Sequence, residues 1–295
     1  MVFINKDGKI NESTYLFDGK YMNFPHFISI YIIENDGERM MIDSPQGTYV
    51  RKFLKNLQEL GLYPIHKILL THSHCDHISG AAKTRRMIKE VDVEILASEN
   101  AIHNLKNPEK MNDIFNIKEP PVENVIGLKD GEIINLRGLE LEVINLFGHT
   151  MDSIGIHDKK NRNLFSGDSI MTKQDNETFF PSYSPPDFHE SEQLKVFQKL
   201  KNMRKEFDSI SLSHYGFWKD DDKDKILNEM DTLYHESKEA FVKWYKENPS
   251  ITDITLKYHD KFIPNSKRFT RESIMGFRFY FDWLIKSLKL SGFID

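Results

Sequence analysis

A short segment rich in histidine and aspartate carries the strongest chemical signal in the chain. The segment begins at Thr71, reads THSHCDH and follows an apolar run typical of a buried strand. In an extended stretch, residues i and i+2 point to the same side, so His72 and His74 can bind one metal ion together. Asp76 and His77 are adjacent and diverge, which suits a second ion. Imidazole and carboxylate ligands favour zinc, iron or a similar first-row ion over magnesium or calcium.

Four further motifs accompany this segment along the chain. Asp43 ends an early strand in the sequence MIDS, and His149 stands in FGHT. Asp168 stands in FSGD, and His214 stands in LSHYG. The five motifs span residues 43–214, and together, in this order, they resemble the metallo-β-lactamase superfamily.

The resemblance assigns a role to each matched residue and implies a fold. It implies that one metal ion is bound by His72, His74 and His149, that a second is bound by Asp76, His77 and His214, and that Asp168 bridges the two. Asp43 would orient one of these ligands through a hydrogen bond. The implied fold is a four-layer αββα sandwich of the α/β class with the metal site at one edge.

Two positions indicate a branch within the superfamily. Asp168 stands where class B1 lactamases place a cysteine ligand, which resembles the glyoxalase II and lactonase branches. His74 stands where flavodiiron proteins carry glutamate, which argues against a diiron oxygen reductase. Cys75 lies between ligands but at no ligand position of the family, so we interpret it as a small filler.

The implied chemistry is metal-dependent hydrolysis. Two divalent ions lower the pKa of a water that they share, and the resulting metal-bridging hydroxide attacks an ester-like bond. We expect a thioester, a lactone or a related ester of a small molecule as substrate. Asp76 is the predicted catalytic residue, because one of its carboxylate oxygens would be free to orient the water and move its proton. The sequence contains no G-x-S-x-G elbow and no P-loop.

Other functions share these motifs and stay open at this point. One alternative is an iron-dependent oxidoreductase similar to persulfide dioxygenases, and another is a phosphodiesterase or nuclease. A metal-binding protein without catalysis is disfavoured by the complete ligand set. We expect two divalent metal ions as cofactors, with zinc first and iron or manganese as alternatives.

Four residues near the ligand motifs are predicted to contact the substrate. Tyr183 and His189 lie in a proline-rich loop after Asp168, and loops at this place line the pocket in the family. Tyr215 directly follows a ligand, and His26 begins a strand near the same edge. For each of them, plain packing or solvent exposure is the alternative.

Composition restricts the class of protein and its surroundings. The chain has 295 residues and a formal net charge of −5 at pH 7, so it lacks the basic character of a nucleic-acid binder. It has a single cysteine, which excludes an intramolecular disulfide framework. We see neither a signal-peptide pattern nor an apolar stretch long enough to span a bilayer. We therefore expect a soluble, cytoplasmic protein that acts on a small molecule, without nucleic-acid or membrane partners.

The hydrophobic patterns divide the chain into two predicted regions. Residues 1–218 alternate strands and helices and are predicted to form the catalytic domain. The predicted strands are 26–33, 39–43, 65–71, 93–97, 139–147, 153–157, 163–166 and 209–213, and the predicted helices are 49–60, 80–90 and 190–207.

Residues 219–295 show only helical patterns and are predicted to form an extension that lies over one rim of the pocket. The apolar stripe on its last helix predicts packing against the core or against a second copy in a homodimer.

Overall fold

Two seven-stranded β-sheets form the centre of the molecule. They are seen in a computed structural model that describes residues 3–295. Met1 and Val2, which begin the predicted catalytic domain, lie outside the described residues. The first sheet contains, in order, β2 (Gly8–Lys9), β3 (Thr14–Asp18), β4 (Ser29–Asn35), β5 (Glu38–Ile42), β6 (Lys67–Leu70), β7 (Glu94–Ser98) and β8 (Val125–Leu128).

The second sheet lies against the first. It contains, in order, β1 (Phe3–Ile4), β16 (Gly216–Lys219), β15 (Ser209–Leu212), β12 (Asn163–Phe165), β11 (Ile154–Asp158), β10 (Leu139–Asn145) and β9 (Ile133–Leu136). A separate hairpin joins β13 (Met171–Lys173) to β14 (Phe179–Pro181). The two large sheets therefore have the size expected for the halves of a sandwich.

Helices cover the outer faces of the sandwich. They are α1 (Val50–Glu59), α2 (Cys75–Ile78), α3 (Ala81–Met87), α4 (Ile102–Lys106), α5 (Glu109–Phe115), α6 (Glu190–Asn202), α7 (Asp221–Glu247), α8 (Ile251–Phe262) and α9 (Arg278–Leu290). Short 3-10 turns lie at Tyr21–Asn23, Glu99–Ala101 and Ser273–Phe277. Among residues 3–295, no helix combines the length and the apolar character that a membrane crossing requires.

Strand β4 shows why the sheets hold together. Side chains alternate across a strand, so its continuous apolar sequence supplies two different cores. Tyr31 and Ile33 are buried between the two sheets, whereas Ile30 and Ile32 are buried in the outer cluster that also contains the helices. This arrangement of helix, sheet, sheet and helix confirms the predicted four-layer αββα fold.

The predicted strands are present, with ends that differ by a few residues, and so are the helices. Helix α6 is shorter than predicted, because a turn after Met203 ends it and directs the buried Phe207 into the core. The elements that were not predicted are short, with at most seven residues each, and they are the strands β1, β2, β3, β8, β9, β13, β14 and β16 and the helices α2, α4 and α5. The chain after Lys219 is helical, as predicted.

The carboxyl ends of five strands meet at one edge of the sandwich. In the first sheet, β5 and β6 are parallel neighbours. In the second sheet, β12 and β15 are parallel, and β10 runs in the same direction because β11 is antiparallel to both β10 and β12. A backbone hydrogen bond of 2.8 Å from Ile154 N to Thr71 O joins the sheets at this edge. The predicted metal ligands follow these strand ends.

Candidate metal centre

The structure brings all seven predicted metal ligands together. Their potential ligand atoms form three overlapping groups, and within each group the atoms lie within 4.8 Å of one another. The groups are His72, His74 and His149; His72, His77 and Asp168; and Asp76, His77 and His214. The first and third are the two ligand sets that the family resemblance implied.

Asp168 lies between these two sets. Its Oδ2 atom is 3.6 Å from His149 Nε2 and 3.2 Å from His214 Nε2, and its Oδ1 atom is 3.5 Å from His77 Nε2. One carboxylate therefore reaches imidazoles of both sets. That position is the one a bridging ligand would need.

The donor atoms fit divalent metal ions. The Nε2 atoms of His72 and His77 and the Oδ1 atom of Asp168 are buried without a hydrogen-bond partner, and the Nδ1 atom of His74 faces His149 Nε2 at 2.9 Å. Buried polar atoms almost always have a partner, so three such atoms in one cluster need an explanation. Metal coordination supplies it, because these nitrogen and oxygen atoms are the ligands that zinc and similar ions prefer.

Hydrogen bonds on the opposite ring nitrogens orient the imidazoles. The Nδ1 atom of His77 lies 2.8 Å from Asp43 Oδ2, and that of His149 lies 2.8 Å from the carbonyl oxygen of Ser182. An Nδ1–H that donates to an oxygen leaves the Nε2 lone pair free for a metal ion. These contacts fix both the tautomer and the direction of the ligands.

Asp43 occupies the place expected from the sequence. It is fully buried, and besides His77 it accepts hydrogen bonds from the backbone N–H of Thr71 at 2.8 Å and from the hydroxyl of Ser213 at 3.2 Å. Thr71 and Ser213 directly precede the ligands His72 and His214. One carboxylate at the end of β5 therefore ties together the ends of β6 and β15, which both carry ligands.

Burial keeps the first set of imidazoles neutral. It lowers the pKa of His72 well below the ordinary value, and the neighbouring His77 and His74 lower it further. Burial and the nearby His149 lower the pKa of His74 to about 3, and burial also lowers that of His149. Neutral imidazole is the form that binds a metal ion.

Carboxylates reverse this effect in the second set. Burial would lower the pKa of His214, but Asp168 and Asp76 raise it to about 10. Asp43 and Asp168 likewise raise the pKa of His77 well above its ordinary value against the effect of burial. Burial would raise the pKa of Asp76, but His77 and His214 lower it to about 2. The second set therefore concentrates negative charge, which favours a cation there.

A glycine allows His149 to reach the centre. Gly148 has a φ of +145°, and a Cβ atom at this position would lie 2.4 Å from the Cα atom of Gln193 on α6. No other residue type fits this close approach without moving the helix. The Gly-His pair of the motif therefore reflects packing as well as metal binding.

Asp152 is a site residue that the sequence analysis missed. It is 2% exposed and accepts hydrogen bonds of 2.6 Å from the hydroxyls of both Ser73 and Thr150. The side-chain amide of Asn104 donates to it at 3.3 Å. Ser73 lies between His72 and His74, and Thr150 follows His149. The signal was its position three residues after a ligand, which is weak without the fold.

Cys75 is buried and reduced, in agreement with its interpretation as a filler. The hydroxyl of Tyr21 donates to its sulfur at 3.4 Å. Burial and the charge of Asp76 raise the pKa of its thiol, so the sulfur is not held as a thiolate.

The four predicted substrate contacts are placed differently from the ligands. Tyr183 is fully buried, and its hydroxyl donates to Ser237 on α7, so its side chain has no free surface for a substrate. Tyr215 is also fully buried and stacks on the half-buried His26, with ring centroids 4.7 Å apart. His189 is exposed and contacts Ser191. The two tyrosine predictions are wrong, because apolar packing takes up both rings.

The cluster opens to solvent on one side. Side-chain exposure is 14% for Asp76, 11% for His214 and 8% for Asp168, whereas His77 is fully buried. The aromatic ring of Phe27 lies beside the opening, 5.1 Å from the ring of His214, and its carbonyl oxygen accepts a hydrogen bond from His214 Nδ1. The second set of ligands is therefore the part of the cluster that reaches solvent.

Sequence comparison finds relatives that cover part of the chain. A hydroxyacylglutathione hydrolase from Cereibacter sphaeroides is 29% identical over 135 residues, which are 46% of this chain and 44% of the relative. An acyl-coenzyme A thioesterase from Homo sapiens is 30% identical over 112 residues, which are 34% of this chain and 39% of the relative. This chain thus spans less than half the length of either relative.

Solved structures share the fold over a longer part of the chain. A metallo-beta-lactamase family protein from Thermus thermophilus has a TM-score of 0.64 at 18% identity and covers 94% of this chain and 92% of its own. A metallo-beta-lactamase superfamily protein from Sulfolobus tokodaii has a TM-score of 0.58 at 16% identity and covers 77% of this chain and 87% of its own. The first likeness necessarily includes much of the helical region after Lys219.

The family model of the metallo-beta-lactamase superfamily matches residues 23–209. The match contains six of the seven clustered ligands and ends shortly before His214. It covers more than half of the chain. The chain therefore belongs to the metallo-beta-lactamase superfamily.

Proposed function

We propose that this chain is a dinuclear, metal-dependent hydrolase of an ester-like bond in a small molecule. The observation that carries the proposal is the cluster of seven ligand residues, in which the Nε2 atoms of His72 and His77 and the Oδ1 atom of Asp168 are buried without a hydrogen-bond partner. Seven ligands exceed the four that a single tetrahedral ion requires. Two ions that share Asp168 would account for all of them.

We propose zinc as the metal, with iron or manganese as alternatives. Five imidazoles and two carboxylates form the donor set, and such a set suits zinc and other first-row ions. The two sets differ in charge, since the first has only imidazoles while the second contains Asp76. Different affinities for the two ions follow from that difference.

The residues of the chain position the reactants. Bound divalent ions would lower the pKa of a water molecule and polarise the carbonyl of the substrate. Asp76 Oδ2 lies 3.3 Å from His214 Nε2, and the carboxylate is partly exposed at the opening. It can therefore accept a hydrogen bond from the attacking water, orient this water and help to move the proton that it loses. Its low pKa keeps the carboxylate ionised, as accepting that hydrogen bond requires.

A thioester is the first substrate class to test. One relative carries the name of a thioesterase, and the other is named for hydrolysis of an acyl derivative of the thiol glutathione. In the proposed reaction, water adds to the acyl carbon and the carbon–sulfur bond breaks. The products are a carboxylate and a thiol, and one proton is released. Lactones and related esters would react by the same addition.

We also propose the organisation inferred from the sequence. Residues 1–218 would be the catalytic domain and residues 219–295 a helical extension, supported by the helices α7, α8 and α9. A homodimer stays a prediction. A cytoplasmic location also stays a prediction.

The proposal is tested by activity and metal content together. The protein is loaded with zinc, stripped with a chelator and reloaded, and release of thiol from a thioester is followed with a thiol-reactive dye. We expect turnover to disappear on stripping and to return on reloading. Lactone, phosphodiester and persulfide substrates are run in parallel. Faster turnover of a phosphodiester, or oxygen uptake with a persulfide, would contradict the proposal.

A further inference from the structure

Four aromatic side chains form a collar beside the metal-ligand cluster. They are Phe27, Phe115, Phe279 and Trp283, and we refer to them as the aromatic collar. Phe27 precedes β4 and Phe115 ends α5, whereas Phe279 and Trp283 both lie on α9. On a helix, residues four apart share a face, so the last two rings point the same way.

The collar closes a circuit of ring contacts with the ligands. Phe115 meets the ligand His74 with ring centroids 5.7 Å apart, and Trp283 lies 4.8 Å from Phe115. Phe279 follows at 4.9 Å from Trp283. Phe27 lies 6.5 Å from Phe279 and 5.1 Å from the ligand His214, which completes the circuit.

The circuit borders the open side of the metal centre. Asp76 and His214 are partly exposed, and His214 is itself a member of the circuit. Phe27 and Phe115 are themselves buried, so Phe279 and Trp283 provide the accessible part of the collar. The four collar side chains are hydrocarbon or indole rings and carry no charge. Their surface therefore favours an apolar group next to the reacting carbonyl.

The burial pattern of α9 distinguishes a binding surface from ordinary core packing. Phe281 and Leu284 on this helix are buried at 1% exposure or less and anchor it. Phe279 and Trp283 remain half-buried, although they are large apolar side chains on the same helix. One face of α9 therefore supplies core packing, while a second, aromatic face stays partly exposed beside Phe27 and Phe115.

We propose that the aromatic collar binds the apolar acyl chain of the substrate, so that the enzyme prefers thioesters of longer or aromatic acyl groups. This inference rests on the proposed thioester hydrolysis and names the substrate class for that same site. The carbonyl would lie at the partly exposed ligands and the chain would extend along Phe279 and Trp283. Each methylene that leaves water adds to binding.

The test is a series of thioesters of one small neutral thiol, N-acetylcysteamine, with straight acyl chains from two to twelve carbons. For the zinc-loaded protein, we expect kcat/KM to rise roughly twofold to fourfold per methylene until the collar is filled. Trp283→Ala and Phe279→Ala should each lower this dependence on chain length. Two variants are used because either alone could disturb folding, which circular dichroism checks.

Trp244 provides a matched control. It is a tryptophan on α7, also half-buried, whose ring packs against Phe241 at 5.8 Å and Phe262 at 6.3 Å. Trp244→Ala should keep the wild-type dependence on chain length.

Two outcomes separate this inference from the proposed function. Turnover that is equal at all chain lengths, or unchanged chain-length dependence in both folded collar variants, would overturn the role of the collar while leaving thioester hydrolysis intact. Absence of turnover with every thioester would instead overturn the proposed function.

A binding measurement tests the collar without turnover. Decanoate is the product that a ten-carbon acyl thioester would give, and its binding should change the fluorescence of Trp283. We expect the response in the zinc-loaded wild type and in Trp244→Phe, and its loss in Trp283→Phe. An equal response in all three proteins would contradict binding at the collar.

Discussion

The two ligand sets of the metal centre differ in burial and charge. His72, His74 and His149 are between 1% and 3% exposed, and they are all imidazoles whose pKa values burial lowers. In the second set, Asp76 and His214 reach solvent, and carboxylates raise the pKa of His77 and His214.

This difference suggests that the two ligand sets have different roles. The first set is enclosed and is supported from behind by Asp152. The second set lies at the opening, where the collar residue Phe27 contacts His214. We infer that the first set anchors a metal ion and that the second set meets the reactants. Asp168 lies between the two sets, so its removal should affect both metal ions.

The largest effect is expected for Asp168→Ala. Loss of the shared carboxylate removes a ligand from both ions, and turnover should fall about 10³-fold or more, since metal ions supply several kcal/mol to the reaction. Elemental analysis measures the loss of metal ions, and thioester turnover measures the loss of activity.

Asp158→Ala is the control, because Asp158 is a fully buried aspartate at the end of β11 that accepts a 2.7 Å hydrogen bond from the Asn161 side chain. It should lower stability but keep both ions. Full metal content in Asp168→Ala would argue against a bridging role.

The next largest effect is expected for a substitution in the second ligand set, which lies at the opening. Asp76→Asn keeps an oxygen for the metal ion but removes the ability to take a proton. At saturating zinc we expect turnover to fall roughly 10²-fold or more, with both ions still bound. Asp92→Asn, at an exposed position before β7, should behave as the wild type. If Asp76→Asn recovers wild-type turnover at full occupancy, Asp76 is a ligand only and proton transfer belongs to another group.

A smaller effect should be confined to the first ligand set, which is the enclosed one. Asp152→Asn replaces the acceptor of the Ser73 and Thr150 hydroxyls with a group that also donates. We expect the affinity for one ion to fall about 10- to 100-fold, while the other is bound nearly as before. Titration with zinc against a competing chelator resolves the two dissociation constants. Asn104→Ala, which removes only a neutral donor at 3.3 Å, should change them less. Equal weakening of the binding of both ions would contradict the proposed difference between the two ligand sets.

The smallest effect is expected for a residue outside both ligand sets. It tests whether the effects assigned to the two sets are local. Burial would raise the pKa of Glu190, but hydrogen bonds from Lys238 and Tyr234 hold it below its ordinary value. This contact stabilises the fold above the ordinary glutamate pKa and is lost as the pH falls through the lowered value. Glu190→Gln should therefore cost at most about 1 kcal/mol near neutral pH and less in acid.

Urea unfolding at several pH values measures this cost, and metal content is the paired readout. Both ions should be retained in Glu190→Gln. If this variant lost an ion, the effects assigned to the two ligand sets would not be local.

The sequence predicted four of the ligands from their local spacing and the other three from the family resemblance. His72, His74, Asp76 and His77 lie within six residues, and the other three stand in short motifs at strand ends. The fold followed from the same resemblance, and the strands were visible as apolar runs. Hydrophobic periodicity sufficed where an element was long, as in α7.

Contacts that join distant parts of the chain could not be predicted. The collar residues Phe27, Phe115 and Trp283 come from three separate regions, and only the packing of α9 brings them together. Tyr183 looked like a pocket residue because its loop follows Asp168, but helix α7 buries its ring against Tyr234. Side-chain direction in a loop depends on such tertiary neighbours, which a sequence pattern does not contain.

The most direct test of the central claim is the number of metal ions bound by the wild-type chain. The protein is loaded with zinc, freed of excess by gel filtration and measured by elemental analysis against its amino-acid content. The account predicts two ions per chain, one in each ligand set. A single retained ion, with no second ion binding at saturating zinc, would contradict the dinuclear centre on which the proposed hydrolysis rests.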